Sequence, residues 1–106
     1  QYDAYLSEEH HRAKKDAPSG TALNLLDLMR PYLSNPNPGI ASIRAGWIPG
    51  THVIGFDSEA DTIVLEHRAR SRQGFAEGAI MAARWVAGKK GFFDFLQVFR
   101  EIVGIK

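Results

Sequence analysis

The chain opens with alternating apolar and polar residues. Tyr2, Ala4 and Leu6 share one side of an extended segment, which predicts a first strand running towards His10 and His11. Apolar residues then recur at helical spacing, at Ala22, Leu25, Leu26, Met29 and Leu33. This change of period predicts a first helix over about residues 21–32, whose regular part is limited by a proline at position 31.

The middle of the chain is typical of strands separated by turns. Prolines, asparagines and a glycine make residues 34–39 a loop, and residues 40–44 form a short predicted strand. After an interruption at residues 46–50, two β-rich runs cover residues 51–56 and 62–69. The four or five residues between them predict an antiparallel hairpin.

The period becomes helical again from Gly74. Phe75, Ala79, Ala82 and Val86 predict a second helix over about 74–87, ended by a glycine at position 88. Its alanines and Gly78 suit close packing against a sheet or another helix. The tail over residues 92–103 leaves two alternatives: a short helix capped by Asp94, or a further strand.

These elements predict an α+β fold with a mostly antiparallel, mixed sheet of about four strands and two main helices on one face. The length of 106 residues suits a single domain over residues 1–106. Along residues 62–69, Val64, Glu66 and Arg68 lie on the opposite side from Ile63 and Leu65. This mixed side suits either solvent or the sheet of a partner.

Composition narrows the class of protein. Thirteen basic and twelve acidic residues give a net charge of +1, which favours neither nucleic acid nor a membrane surface as partner. The absence of cysteine excludes disulfides and thiolate chemistry, and no apolar stretch is long enough to span a membrane. We therefore expect a cytoplasmic protein, and the absence of an initiator methionine suggests an excised domain.

Candidate chemistry is concentrated in residues 9–21, where two histidines and three cationic side chains precede a Pro-Ser-Gly-Thr turn that opens the first helix. The first turn of a helix offers unpaired N–H groups and a partial positive charge, so Ser19, Gly20 and Thr21 are candidates to hold a carboxylate or phosphate. A lysine adds full charge, and a histidine can donate a proton near neutral pH.

A simpler interpretation stays open for this segment. In it, Ser19 or Thr21 serves only as a helix cap, and the basic residues form a solvated loop. A metal site at the adjacent histidines is disfavoured, because no third ligand stands at a characteristic spacing and the neighbouring lysines oppose a cation.

Other polar and aromatic residues carry weaker signals. His52 and His67 lie in predicted strands, where a histidine is more often structural than catalytic. Arg72 is a surface residue or a minority candidate for an anion contact. Trp47 and Trp85 suit a core or an interface rather than base stacking, because no basic stripe accompanies them. No Gly-x-Gly triplet and no Gly-x-Ser-x-Gly elbow occur, so neither a dinucleotide fingerprint nor a hydrolase nucleophile is indicated.

The run EHHRAKKDAPSGTA, residues 9–22, resembles the signature of dihydrodipicolinate reductases, E-H-H-x-x-K-x-D-x-P-S-G-T-A, at every fixed position. The resemblance continues in Arg-Ala-Gly at 44–46, in Pro-Gly-Thr-His at 49–52, and in residues 66–72, 75–79 and 82–85. It therefore extends over nearly the whole chain.

This resemblance implies an enzyme that reduces 4-hydroxy-tetrahydrodipicolinate with NADPH or NADH in the diaminopimelate and lysine pathway. The nucleotide is implied to sit on an N-terminal Rossmann domain, which we expect to be absent here, and the C-terminal domain to bind the dicarboxylate and form a homotetramer through its sheets. The chain alone is then expected to be inactive and to hold no cofactor.

The resemblance also implies roles for individual residues. His10 matches the proton donor and Lys14 its catalytic partner. The substrate carboxylates are implied to contact His11, Lys14, Ser19, Gly20 and Thr21, with Arg72 as a weaker match. Two alternatives are an assembly module with an incomplete pocket and an unrelated anion-binding domain.

Overall fold

The structure is a computed structural model that describes residues 1–105. It contains four strands, β1 (Asp3–His10), β2 (Gly39–Arg44), β3 (Thr51–Asp57) and β4 (Thr62–Arg68). It also contains three α-helices, α1 (Gly20–Met29), α2 (Gln73–Val86) and α3 (Phe95–Val103). The residues cluster into two compact units, Gln1–Arg70 and the part of the chain from Ser71 onward. The single-domain organisation expected from the sequence stays a prediction.

The strands of the first unit form one mixed sheet in the order β2-β1-β3-β4. β1 is central, pairing in parallel with β2 and antiparallel with β3, and β3 and β4 form the predicted antiparallel hairpin. The α+β class with four strands is confirmed. β1 and β2 can run parallel because the chain between them crosses over through α1. A direct hairpin would make the two strands antiparallel.

The core of the first unit lies where α1 meets β1. Ala4 and Leu6 are buried on one face of β1, and Ala22 and Leu26 are buried on α1. A period of two in the strand and a spacing of four in the helix bring these apolar side chains together. Beyond them, the same face of β1 carries Glu8 and His10, which are also buried. The apolar core therefore continues directly into a polar cluster.

α1 is shorter than the sequence predicts. The α-helix ends at Met29, and the predicted remainder, Arg30–Tyr32, is a 3₁₀ turn that contains Pro31. Proline lacks an N–H and its ring clashes with the preceding turn, so it is compatible with this tighter turn but not with a continued α-helix.

The second unit contains α2 and α3, which pack against each other. The tail is a helix, as in the first of the two alternatives: Asp94 caps α3 by accepting a hydrogen bond from the Gln97 N–H at 2.8 Å. Gly78 allows a close approach, because a Cβ at this position would lie 3.3 Å from the Phe95 ring. The prediction that α2 covers the sheet stays a prediction.

Among residues 1–105, no helix is long and apolar enough to cross a membrane.

Candidate active site

His10 is the last residue of β1 and is only 6% exposed. Its carbonyl oxygen accepts a hydrogen bond from the Ala45 N–H at 3.1 Å, which ties the ends of β1 and β2 together. The alternation that buries Ala4 and Leu6 also turns His10 inward. The proposed proton donor is therefore held by the rigid end of a central strand.

Glu8, two residues before His10, is the most deeply buried charged residue of the core, at 1% exposure. Its carboxylate accepts hydrogen bonds from the Ser19 N–H at 2.7 Å and from Arg44 Nη2 at 2.8 Å, and a further short one from Arg44 Nη1. His10 Nδ1 lies 3.2 Å from Glu8 Oε2. Burial raises the pKa of Glu8, but the hydrogen bonds from Arg44, Ser19 and His10 outweigh it and lower the pKa to about 2.

Arg44 ends β2 and stands beside His10 in the parallel register. Besides Glu8, its guanidinium donates to the Asp16 carbonyl oxygen at 2.6 Å, so it also holds the loop that follows β1. The hydrogen bond to Glu8 raises the pKa of Arg44, against the effect of burial. Its Nε is buried without a hydrogen-bond partner among residues 1–105. Glu8 and Arg44 therefore form an ion pair beside His10 and Ser19, with the carboxylate fully buried and the Arg44 side chain 16% exposed.

Ser19 is the N-cap of α1, which confirms the capping interpretation for this residue. Its hydroxyl accepts a hydrogen bond from the Ala22 N–H at 3.2 Å and lies 3.2 Å from His52 Nε2. Gly20 and Thr21 form the first helical turn and are exposed, and their N–H groups have no acceptor within the helix. The unpaired N–H donors of this turn therefore belong to the exposed Gly20 and Thr21, whereas Ser19 makes its hydrogen bonds within the protein.

His52 joins the cluster from β3, because its register partner is Glu8. The rings of His10 and His52 meet edge to face, with centroids 5.1 Å apart. Burial lowers the pKa of His52, and the nearby His10 lowers it further. His67 pairs with His52 in the register of β4 but is exposed.

The loop between β1 and α1 carries the cations of the signature. Lys14 is partly buried, and its Nζ lies 3.0 Å from Asp16 Oδ1. The hydrogen bond from Lys14 lowers the pKa of Asp16. His11 is exposed and lines an open cavity of about 340 Å³. The other lining residues of this cavity are Arg12, Ala13, Gly46 and Trp47.

Trp47 is 95% exposed, so of the two predicted positions, core and interface, it does not lie in the core, and the interface stays a prediction. It follows Gly46, whose φ of +51° turns the chain outward between β2 and β3. Trp85, in contrast, is partly buried in the second unit, where it meets the Phe93 ring edge to face at 5.0 Å.

Arg72 belongs to the second unit and precedes α2. Its guanidinium carbon lies 4.7 Å from the centre of the Phe75 ring. Its contribution to a substrate pocket stays a prediction.

Gly50 approaches the cluster at the start of β3. It is buried with a φ of +153°, and a Cβ at this position would lie 3.3 Å from His10 Nε2. A side chain here would therefore require the imidazole to shift by a few tenths of an ångström, in addition to the strain of a positive φ.

The geometry brings together a buried imidazole, a cationic loop and the open end of a helix, all at one end of β1. Such an arrangement can bind a small anion and deliver a proton to it. No group of three or more histidine, cysteine, aspartate or glutamate side chains that could hold a metal ion occurs among residues 1–105.

Sequence reasoning assigned no role to Glu8 or Arg44 and gave His52 a structural one. A signal existed for Glu8: continuing the alternation of Ala4 and Leu6 places a carboxylate on the buried face. The signal for Arg44 was its position in Arg-Ala-Gly, and only the register of the sheet shows its partner.

Comparisons with known proteins match nearly the whole chain to one family. The family model "Dihydrodipicolinate reductase, C-terminus" matches residues 1–99. A 4-hydroxy-tetrahydrodipicolinate reductase of Chromohalobacter salexigens is 38% identical over 99% of this chain and 45% of its own length. Another from Thermosipho africanus is 42% identical over 94% of this chain and 44% of its own length. This chain thus spans a little under half the length of these relatives.

A solved structure also resembles the fold. It is a dipicolinate-bound dihydrodipicolinate reductase from Paenisporosarcina sp. TG-14, with a TM-score of 0.67 and 25% identity. The match covers 79% of this chain and 39% of that chain. On the family match and the relatives together, this chain belongs to the family of dihydrodipicolinate reductase C-terminal domains.

Proposed function

We propose that this chain is the substrate-binding part of a 4-hydroxy-tetrahydrodipicolinate reductase, an oxidoreductase of the diaminopimelate and lysine pathway. The observation that carries the proposal is the convergence of His10, the Lys14 loop and the first turn of α1 at one end of β1. The solved relative that is bound to dipicolinate supports a planar dicarboxylate as the ligand class.

The binding roles follow from charge and from donor geometry. Lys14 supplies a mobile cation, His11 a ring nitrogen, and Gly20 and Thr21 outward N–H groups, all suited to carboxylate oxygens. The Ser19 hydroxyl adds a further polar contact when it exchanges its His52 partner for substrate. We extend the pocket to Arg72 as a weaker member.

The proposed chemical role belongs to His10. Reduction of a conjugated C=N system develops negative charge, which a positioned acid neutralises. His10 supplies that proton, and Lys14 holds a carboxylate while keeping the local potential positive.

The reductant is proposed to be NADPH or NADH, held by a nucleotide-binding domain outside these residues. The described residues do not fit a dinucleotide. A dinucleotide-binding site needs a tight glycine-rich turn between its first strand and its first helix. Here β1 and α1 are separated by a long cationic loop, residues 11–19, and the Ser19 hydroxyl caps the helix. We therefore propose that this chain alone is inactive. We also propose that the whole reductase acts in the cytoplasm.

Calorimetry with pyridine-2,6-dicarboxylate tests the pocket. Lys14→Ala and His11→Ala should weaken binding about tenfold or more, since each removes a charge-assisted contact of roughly 1.5–3 kcal/mol. Lys15→Ala is the matched control, because this neighbouring lysine is exposed and lies at a variable position of the signature. Equal losses for Lys14→Ala and Lys15→Ala would show general charge attraction instead of a defined pocket.

Steady-state kinetics test the acid. In a full-length reductase that carries this chain, His10→Gln should lower kcat by roughly 100-fold, the lower end of what general acid catalysis contributes. An unchanged kcat removes His10 from the mechanism. A cofactor-dependent rate from the 106-residue chain alone would contradict the proposed location of the nucleotide.

A specific observation also favours the assembly role. On the sheet face opposite α1, Tyr5, Ile43 and Val64 are 38%, 48% and 54% exposed. This is the mixed face on which Glu66 and Arg68 accompany the exposed apolar residues. A face of this kind suits packing against the sheet of a second copy, and we propose a homotetramer built through it.

Light scattering tests the assembly. Val64→Lys should reduce the mass towards that of the monomer, because it places a charge in the proposed interface. Ala60→Lys adds the same charge in the exposed hairpin loop and should leave the mass unchanged. A monomeric parent chain at tens of micromolar excludes this role.

A further inference from the structure

The carboxylate of Glu8 links three segments of the candidate site. Its two oxygens meet the imidazole at the end of β1, the N–H that precedes α1, and the guanidinium at the end of β2. The side chain is 0% exposed, so these protein donors take the place of water. A group in this position sets the geometry of whatever it contacts.

We propose that Glu8 is a positioning residue that keeps the hydrogen of the neutral His10 ring on Nδ1, so that Nε2 is the nitrogen that delivers the proton to substrate. Arg44 holds the carboxylate of Glu8 ionised and in place. The inference deepens the proposed function and rests on the role of His10 as acid.

The position of the hydrogen follows from the chemistry of the acceptor. An ionised carboxylate only accepts hydrogen bonds, so the contact of 3.2 Å requires the hydrogen on His10 Nδ1. A neutral imidazole carries one hydrogen, which leaves Nε2 as the site that gains and loses the proton. The acidic proton is thereby confined to one atom instead of being shared between two.

Arg44 is needed because a buried carboxylate without a cation tends to become protonated. A protonated Glu8 carries an O–H, which can donate to Nδ1 and reverse the hydrogen bond. The two guanidinium contacts oppose this, and the contact of Arg44 with the Asp16 carbonyl at 2.6 Å keeps the Lys14 loop in register with the imidazole. One ion pair thus orients both the acid and the neighbouring loop.

Gly50 lies on the other side of the ring. A Cβ there would approach Nε2 to 3.3 Å, so the glycine keeps space at the nitrogen that the proposal makes the working one. Gly46 in the same loop serves for comparison: its φ is +51°, and a Cβ there would meet nothing within 4 Å.

The decisive variant is Glu8→Gln combined with Arg44→Met. The pair of substitutions removes both buried charges together, which is often neutral for stability. The Gln oxygen can still accept the Ser19 N–H, but its NH₂ group then faces His10 Nδ1 as a donor. The ring is expected to switch to the form with hydrogen on Nε2.

Two measurements separate positioning from a merely structural role. Long-range ¹H–¹⁵N spectra of the 106-residue chain, which has four histidines, report the protonated nitrogen of His10. In a full-length reductase that carries this chain, kcat should fall roughly 100-fold, as expected for lost general acid catalysis, with KM little changed. Thermal melting should stay close to that of the parent.

A double variant that keeps hydrogen on His10 Nδ1, or that turns over at the parental rate, overturns the proposal. Glu8→Asp retains the carboxylate and should keep the Nδ1 form, which supplies the conservative rescue. Failure of His10→Gln to affect kcat would reject the proposed acid, whereas the spectra would still report on Glu8.

The glycine variants test the same idea with the ion pair intact, and they apply if the double variant fails to fold. Gly50→Ala should lower kcat well below that of Gly46→Ala, because only the first side chain meets Nε2. Thermal melting of both variants accounts for the strain, since a φ of +153° strains alanine more than a φ of +51° does. Equal rates for the two variants would contradict the assignment of Nε2.

Discussion

In a simple globular fold, polar residues are exposed and apolar residues are buried. The two faces of this sheet depart from that pattern in opposite ways. On the face covered by α1, Glu8 and Arg44 are withdrawn from solvent as a hydrogen-bonded pair. On the opposite face, Tyr5, Ile43 and Val64 remain exposed. A buried charge requires partners within the chain, whereas an exposed apolar face obtains its partners by association. Under the proposed function, chemistry belongs to the first face and assembly to the second, although Ile63 and Leu65 of β4 are exposed on the first face as well.

The largest effect should come from breaking the buried pair on one side only. Glu8→Leu leaves the charged Arg44, whose side chain is only 16% exposed, without its carboxylate, which should destabilise the fold by about 3 kcal/mol or somewhat more in chemical denaturation. The control is Asp27→Ala, which breaks the exposed pair with Arg30 at 2.7 Å and should cost less than about 1 kcal/mol. Similar losses for the two variants would show that burial of the pair is unimportant.

Acid titration should give a slightly smaller effect. The pKa of Glu8 is lowered from 4.5 to about 2, so its contribution is present above pH 4.5 and is lost as the pH falls towards 2. The loss should be on the order of 3 kcal/mol. Denaturation midpoints across this window should decline less steeply in the Glu8→Gln, Arg44→Met double variant. An equally steep decline in the double variant would show that protonation of other carboxylates causes the loss of stability.

Loss of a helix cap should be smaller still and should distinguish the two units. Ser19→Ala and Asp94→Ala each remove an N-cap and should each cost about 1 kcal/mol. Only Ser19→Ala should weaken dicarboxylate binding in calorimetry, since Ser19 lies in the candidate site. Equal weakening by Asp94→Ala would show that loss of a helix cap lowers binding through general destabilisation instead of through a contact of Ser19 with the ligand.

The smallest effect on stability should come from Trp47→Phe, which changes an exposed side chain and should alter stability by less than about 0.5 kcal/mol. Trp47 nevertheless lines the cavity beside His11, so dicarboxylate binding should change its fluorescence. The chain has two tryptophans, so the response should persist in Trp85→Phe and disappear in Trp47→Phe. A response that follows Trp85 would place the ligand elsewhere.

Most element positions were predictable because local patterns report local structure. The strands, the hairpin and the second helix agree with the predictions to within one residue at most ends, and Pro31 marks the place where α1 gives way to a 3₁₀ turn. The tail was ambiguous because its apolar residues suit more than one period. The Asp94 cap and the Gly104 termination, with a φ of +74°, resolve it as a helix.

The candidate site was predictable in part. His10, His11, Lys14 and the residues of the turn are contiguous in sequence, so one motif contains them. Glu8, Arg44 and His52 come from three strands, and Gly50 directly precedes the third of them. Only strand register brings these residues together.

The family, the α+β class and the segment that carries the candidate chemistry are all predictable from the sequence, because a long motif and local periodicity both lie along the chain. The tertiary structure decided which nitrogen of His10 faces a carboxylate, which cation neutralises Glu8, and where the backbone comes close to the ring. These features depend on pairing between distant strands, and no pattern along a single segment records which residue will stand opposite another.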